Sequence, residues 1–268
     1  MTETGNDPIW EELRREARLE ADREPLLASF MHGAIIHHAT LEHALAGHLA
    51  CKLGSAGPLQ PTLLMDLFRE VFESDPTIRE AIRADLKAVK ERDPACRGYS
   101  IPFLYFKGFQ ALQSYRVSNW LWQVGRVALA LALQGRISEV FAVDIHPAAR
   151  IGKGILLDHA TSIVIGETAV VKDNVSMLHE VTLGGTGKET GDRHPKVGEG
   201  VLIGAGAKIL GNIRIGDGSK IGAGSVVVDD IPPHSTAVGV PARVVGRSAV
   251  DQPALEMDQR IQAPGMDR

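Results

Sequence analysis

Two short strings in this 268-residue chain join groups that could move a proton and grip an anion: Asp158-His159 and Arg193-His194. Histidine is the side chain whose ordinary pKa lies near neutrality, so it can take a proton from a hydroxyl and return it within one cycle. Arginine presents a planar fork that matches a carboxylate. Both strings fall where an otherwise steady apolar rhythm is interrupted. The rhythm runs Ile145, Ile151, Leu157, then takes an eight-residue step to Ile165 and continues through Val171, Met177 and Leu183. It resumes at Val197 and runs through Ile203, Ile209, Ile215, Ile221 and Val227. The first interruption holds Asp158, His159, Ala160 and Thr161. The second, Gly184 to Lys196, has no apolar residue at the expected beat, so it should leave the fold as an exposed, charged loop.

A six-residue beat is neither a helix at about 3.6 nor a half-buried strand at about 2. Hexapeptide repeats build a β-solenoid, in which each of three short faces returns one inward side chain. Small or β-branched residues such as Ala149, Ala169, Val175 and Ala207 recur between the beats, often followed by glycine, as crowded corners require. A β-sandwich would space its strands at about 8 to 12 residues and use core aromatics. None of the thirteen aromatic residues lies beyond Phe141, and the narrow interior of a three-sided coil excludes such rings. The period does not set the hand of the coil.

The same aromatic distribution marks a domain boundary, because eighteen of the twenty-eight glycines lie between Gly152 and Gly246. Residues 1–140 read as an all-helical domain, 141–247 as the solenoid and 248–268 as a flexible polar tail without period. Helix signals include Ile9, Trp10, Leu13 and Ala17; Pro25 opening Leu26 to His38; and Pro61 opening Leu63 to Phe72. Asp75-Pro76 reads as N-cap and first turn of a helix through Val89. A further stretch runs from about Phe103 to Leu133 with an interruption near Ser118. A net charge of −4 without a basic stripe argues against nucleic acid. The acidic start and short apolar runs argue against a secretory leader or a membrane span, and the expected compartment is the cytoplasm. Cys51 and Cys96 have no zinc-like or paired spacing, and no two solenoid histidines lie five residues apart as a trimeric zinc solenoid would need. No metal site is expected.

Several strings together resemble bacterial serine O-acetyltransferase. They are Asp144-Ile145-His146-Pro147-Ala148-Ala149, Leu157-Asp158-His159-Ala160-Thr161, Val181-Thr182-Leu183-Gly184-Gly185-Thr186-Gly187-Lys188, Gly191-Asp192-Arg193-His194-Pro195 and Gly239-Val240-Pro241-Ala242-Arg243. In the helical part Arg92-Asp93-Pro94-Ala95 and Leu104-Tyr105-Phe106-Lys107-Gly108-Phe109 extend the likeness, which stops before the tail. The resemblance implies an α+β chain, a helical domain followed by a left-handed parallel β-helix. It implies acetyl transfer from acetyl-CoA, a cosubstrate with no permanently bound cofactor, to the hydroxyl of L-serine.

The resemblance makes His159 the base and pairs it with Asp144, although fifteen residues of separation, short of a full coil, do not prove that pairing. Asp93 and Asp158 would face the ammonium of serine, and Arg193 with His194 its carboxylate; Asp93 also reads as an ordinary helix terminator. Gly185, Ala205, Lys220 and Ala223 carry over as CoA positions, with Lys220 or Arg243 as phosphate partners. The implied assembly is a trimer with shared sites, or a dimer of trimers, and L-cysteine is the implied inhibitor. Related enzymes dock a terminal isoleucine into O-acetylserine sulfhydrylase, whereas this chain ends Pro264-Gly265-Met266-Asp267-Arg268, so that partnership is doubtful. The alternatives are transfer to another hydroxyl, such as homoserine or a sugar, and a repeat scaffold without turnover.

Overall fold

The structure, a computed structural model describing residues 7–57, 59–188 and 190–261, begins with helices whose starts are written in the sequence. They are α1 (Pro8–Arg23), α2 (Pro25–Met31), α3 (Leu41–Leu53), α4 (Pro61–Ser74), α5 (Pro76–Arg92), α6 (Ser100–Tyr105), α7 (Lys107–Gln123) and α8 (Val127–Phe141). Asp75 caps α5 by accepting the Thr77 N–H at 2.8 Å, and proline occupies the first turn of α1, α2, α4 and α5, where its missing N–H costs nothing. Two local expectations change. The segment after α2 widens into a π-turn, His32–Ile36, rather than continuing as α-helix to His38. The chain also does not break at Ser118, whose buried hydroxyl donates to the Ala130 carbonyl and stitches α7 to α8. It breaks at Phe106 and at 124–126, where Gly125 takes φ +82°.

Beyond Phe141 the chain winds into a three-faced parallel solenoid. The first face stacks Val143–Ile145, Ile163–Ile165, Thr182–Gly184, Lys208–Leu210 and Val226–Val227. The second stacks strands at Ile151, Val171, Val197 and Ile215, and the third at Leu157, Met177, Ile203 and Ile221. The beat residues are therefore in register: Ile145, Ile165, Leu183, Ile209 and Val227 form one buried column. A hairpin, Ser235–Gly239 with Ala242–Arg247, closes the third sheet.

A buried ion pair joins the two parts. Asp85 of α5 is fully buried and accepts from the Arg116 guanidinium at 2.6 Å, from Gln113 at 3.0 Å and from the Ile155 N–H at 2.9 Å. Arg116 in turn donates to the Gly152 carbonyl of the first coil. Breaking such a pair leaves an uncompensated charge, at a cost of about 3–5 kcal/mol.

Residues 248–261 differ from the flexible tail that their polarity suggests. A short helix, α9 (Pro253–Glu256), buries Ala254 against the solenoid; the Ala254 N–H donates to the Gly200 carbonyl, and its own carbonyl accepts from Ser176 Oγ. Burial of Pro253 and Ala254 is thus backed by one hydrogen bond to a backbone carbonyl and one from a side-chain hydroxyl of the solenoid. Residues 262–268, which include the unusual C-terminal string, lie outside the described residues.

Candidate active site

The two interruptions of the rhythm become features on two different edges of the prism. The eight-residue step places 158–162 on the edge between the third and first faces. Its extra residues form a bulge in which His159 and Ala160 take φ +54° and +57°. N–H groups of Ala160 and Ser162 donate to the carbonyls of Asp158 and Ala142 and hold the bulge. The His159 side chain is left 76% exposed, its Nε2 3.9 Å from Asp158 Oδ1. The start of α7 packs directly on this edge, because a Cβ at Gly108 would lie 2.0 Å from the Leu157 carbonyl oxygen.

Between α5, the α6–α7 junction and this edge lies a cleft of about 900 Å³, lined among others by Asp93, Phe106, Lys107, Asp158, His159 and Met257. Burial pushes the Asp158 carboxyl above its ordinary range, and the like charge of Asp93 adds to the effect. A cationic guest would relieve that repulsion. Asp93 ends α5, and its carboxylate accepts the Ala95 N–H at 2.8 Å.

Asp144 sits outward on the first face and accepts from Gln134 Nε2 of α8 at 2.7 Å. Among the described residues no hydrogen bond or ion pair links it to His159; Asp158 is the nearer carboxylate. His179, one coil further along the same edge, meets His159 edge-on with ring centroids 6.0 Å apart. Ala205 and Ala223 continue the edge, tied by the Gly224 N–H donating to the Ala205 carbonyl.

Arg193 and His194 lie on the other edge, between the first and second faces, at the end of the long loop. Thr168 organises both: its hydroxyl accepts the N–H groups of Arg193 and His194 at 3.0 and 3.1 Å. That leaves its own proton for His194 Nδ1, 2.9 Å away, which also accepts the Thr168 N–H. Nδ1 is therefore an acceptor, and a neutral His194 carries its proton on Nε2, ready to donate to an anion. Burial, with Arg193 adjacent, pushes the His194 pKa down and favours that neutral form. Gly166 makes room, since a Cβ there would fall 2.0 Å from the ring. Glu167 holds the Arg193 guanidinium at 2.7 Å. Gly185 opens the same loop, away from His159.

Lys220 and Arg243 are elsewhere. Lys220 is buried on the third face, with Nζ donating to the Arg260 carbonyl of the tail at 2.6 Å. Arg243 is exposed on the hairpin, 3.6 Å from Asp229. Thr168, Glu167 and Gly166 carry no signal of their own in the sequence, because Gly166-Glu167-Thr168 reads as one more corner of the repeat. Met257 carries none either, since its segment has no period. Among the described residues, no group of three or more His, Cys, Asp or Glu side chains could hold a metal ion, and no helix is long and apolar enough to cross a membrane.

A cleft that brings an exposed histidine together with two carboxylates, set on a left-handed parallel β-helix, fits an acyltransferase of the hexapeptide-repeat class. Residues 9–114 match the family model for the serine acetyltransferase N-terminal region, and 194–229 match the bacterial transferase hexapeptide model. The chain is 56% identical to a serine acetyltransferase of Salmonella typhimurium over 94% of its own length and 92% of the relative's. The crystal structure of serine acetyltransferase from Vibrio cholerae superposes with a TM-score of 0.93 at 58% identity, covering 94% of this chain and 97% of that one. A soybean serine acetyltransferase complexed with serine gives 0.87 at 61%, covering 88% and 97%. The chain belongs to the serine acetyltransferase family.

Proposed function

We infer that this chain transfers the acetyl group of acetyl-CoA to the hydroxyl of L-serine, releasing O-acetyl-L-serine and CoA, a step that supplies cysteine biosynthesis. The observation that carries this reading is the shared lining of one cleft by His159, Asp93 and Asp158. Solved relatives of the family hold serine, coenzyme A and cysteine. His159 takes the serine hydroxyl proton as the oxygen attacks the thioester carbonyl; the tetrahedral adduct collapses, and the departing thiolate takes the proton back. Asp93 and Asp158 receive the serine ammonium, and Asp144 steadies the imidazolium once Gln134 yields it. CoA runs along the edge marked by Ala205 and Ala223, with Gly185 facing it from the neighbouring copy and Lys220 or Arg243 meeting phosphate. Lys220 would first have to leave the Arg260 carbonyl.

Arg193 and His194 grip the carboxylate, but they lie on the opposite edge of the first face from His159. The reading therefore requires a trimer in which one copy's His159 edge meets the next copy's Arg193 edge, closed by threefold symmetry. The helical domains, with Leu26 91% and Leu63 60% exposed, join two trimers into a hexamer. L-cysteine, which keeps both charged groups of serine, occupies the same grip and inhibits. Binding to O-acetylserine sulfhydrylase through the Arg268 terminus is weak or absent, because a guanidinium would have to be desolvated in an apolar pocket.

Thiol release from acetyl-CoA with a panel of amino-acid and sugar acceptors tests the reading. Serine should be preferred, and His159→Ala should lower turnover by roughly 10² to 10⁴. Near-normal turnover in that variant, or equal use of a sugar, would sink it.

A further inference from the structure

We propose that His32 and His37, on the outer surface of the helical domain, form a chelating pair for a divalent first-row transition-metal ion, with Cu²⁺ held most tightly. The pair exists because of the π-turn. In an α-helix, residues five apart project about 140° away from each other around the axis. Here the His37 N–H donates to the His32 carbonyl at 3.0 Å, the i→i+5 bond of a π-turn, so one residue sits over the other. His32 Nδ1 and His37 Nε2 are then 3.2 Å apart, with ring centroids at 4.9 Å.

That separation is the bite of a chelate. With metal–nitrogen bonds of about 2.0–2.1 Å, two donors so spaced subtend about 100° at the ion, between square-planar and tetrahedral angles. At present the two nitrogens share one proton in a hydrogen bond. Each neutral ring can carry its proton on the other nitrogen instead, which leaves both facing lone pairs for the ion. Both side chains are exposed, so an ion reaches them without opening the fold.

The frame is fixed while the rings remain free to turn. His38 Nε2 bonds the Gly33 carbonyl at 3.0 Å, and Met31 and Ile35 anchor the turn in the core. Among the described residues no third side chain completes the site, so solvent fills the remaining positions and the affinity is that of a two-histidine chelate. The order of first-row affinities places Cu²⁺ above Ni²⁺ and Zn²⁺. The site lies in the helical domain, away from the cleft, and does not depend on the acetyl-transfer reading.

The test is a CuCl₂ titration of the full chain at neutral pH, followed by calorimetry and by electron paramagnetic resonance. One equivalent per chain should bind in the micromolar range, with nitrogen superhyperfine structure from two imidazoles. His32→Ala and His37→Ala should each weaken binding at least about tenfold. His43→Ala should leave it unchanged, since His43 Nε2 already pairs with Glu73 at 2.8 Å. No saturable binding, or binding that survives His32→Ala and His37→Ala together, would overturn the proposal. So would copper lost only on His179→Ala, which would place it beside His159 in the cleft.

Discussion

The two edges of the first face are built on opposite plans. On the edge carrying His159, the imidazole stands out from a left-handed bulge, mostly exposed, with no hydrogen-bonded partner among the described residues. On the edge carrying Arg193 and His194, the guanidinium is held by Glu167, and the imidazole is buried with its proton position set by Thr168. As the proposed base, His159 must gain and lose a proton each cycle, so rigid partners on both nitrogens would oppose it. An anion grip does the same thing in every state, and fixing it beforehand avoids an entropy cost on binding. One edge is left open; the other is already assembled.

If the two edges serve one site only across a subunit boundary, two inactive chains can repair each other. His159→Ala keeps an intact Arg193 edge, and Arg193→Ala keeps an intact His159 edge. Co-expressed in equal amounts, they should recover about a quarter of normal activity, since one pairing in four in a cyclic ring joins the two good edges. Either variant alone should remain roughly a hundredfold down or worse. Recovery no greater than the mean of the separate variants would mean that each chain works alone.

The two edges are also supported differently. The His159 edge leans on α7 at Gly108, whose replacement by Ala would push a methyl into the Leu157 carbonyl oxygen. Gly108→Ala should cost about 1–3 kcal/mol in thermal or denaturant unfolding, as overpacking does, and should lower turnover as well. Gly135→Ala in α8, with nothing within 4 Å, should be neutral or stabilising by about 0.5–1 kcal/mol. Equal effects at the two glycines would show that the close approach does not matter.

On the Arg193 edge, Thr168→Val keeps the shape but removes the acceptor of two N–H groups and the donor to His194. Serine KM should rise roughly tenfold, in line with about 1–2 kcal/mol for hydrogen bonds left unmade, while kcat changes little. Thr168→Ser should restore it. A fall in kcat at constant KM would remove Thr168 from the grip.

How much of this could be read from the sequence follows from the same contrast. The columns Ile145-Ile165-Leu183-Ile209-Val227 and Leu157-Met177-Ile203-Ile221 were legible because a solenoid core repeats in sequence. His159 and Arg193 were legible because they break that repeat. Thr168 and Glu167 were not, since they occupy a regular corner and gain their role only from a loop that returns twenty-six residues later. The hydrogen bond from Gln134 to Asp144 was equally hidden, because it depends on how α8 enters the first coil. The continuity of the helix through Ser118 is hidden in the sequence, because a mid-helix serine reads as a breaker until its tertiary partner, the Ala130 carbonyl, is known.

The smallest effect concerns charge within the His159 edge. Asp158 binds its proton more tightly than an ordinary aspartate, first through burial and then through the neighbouring Asp93. If Asp158 receives serine's ammonium, as proposed, it must be ionised to do so, and kcat/KM should fall as pH drops through this raised pKa. Asp93→Asn removes the like charge but not the burial, so the Asp158 pKa should fall part of the way back. The acid limb of kcat/KM should therefore move to lower pH, even as serine KM at neutral pH rises from the lost contact. Stability moves by the same linkage. Between the unfolded pKa and the raised folded one, the folded chain holds more proton, so stability declines as pH rises through that window. Asp93→Asn should narrow the window and soften the decline. An acid limb that stays in place, or moves to higher pH, would separate the two carboxylates and leave Asp93 as no more than the terminator of α5.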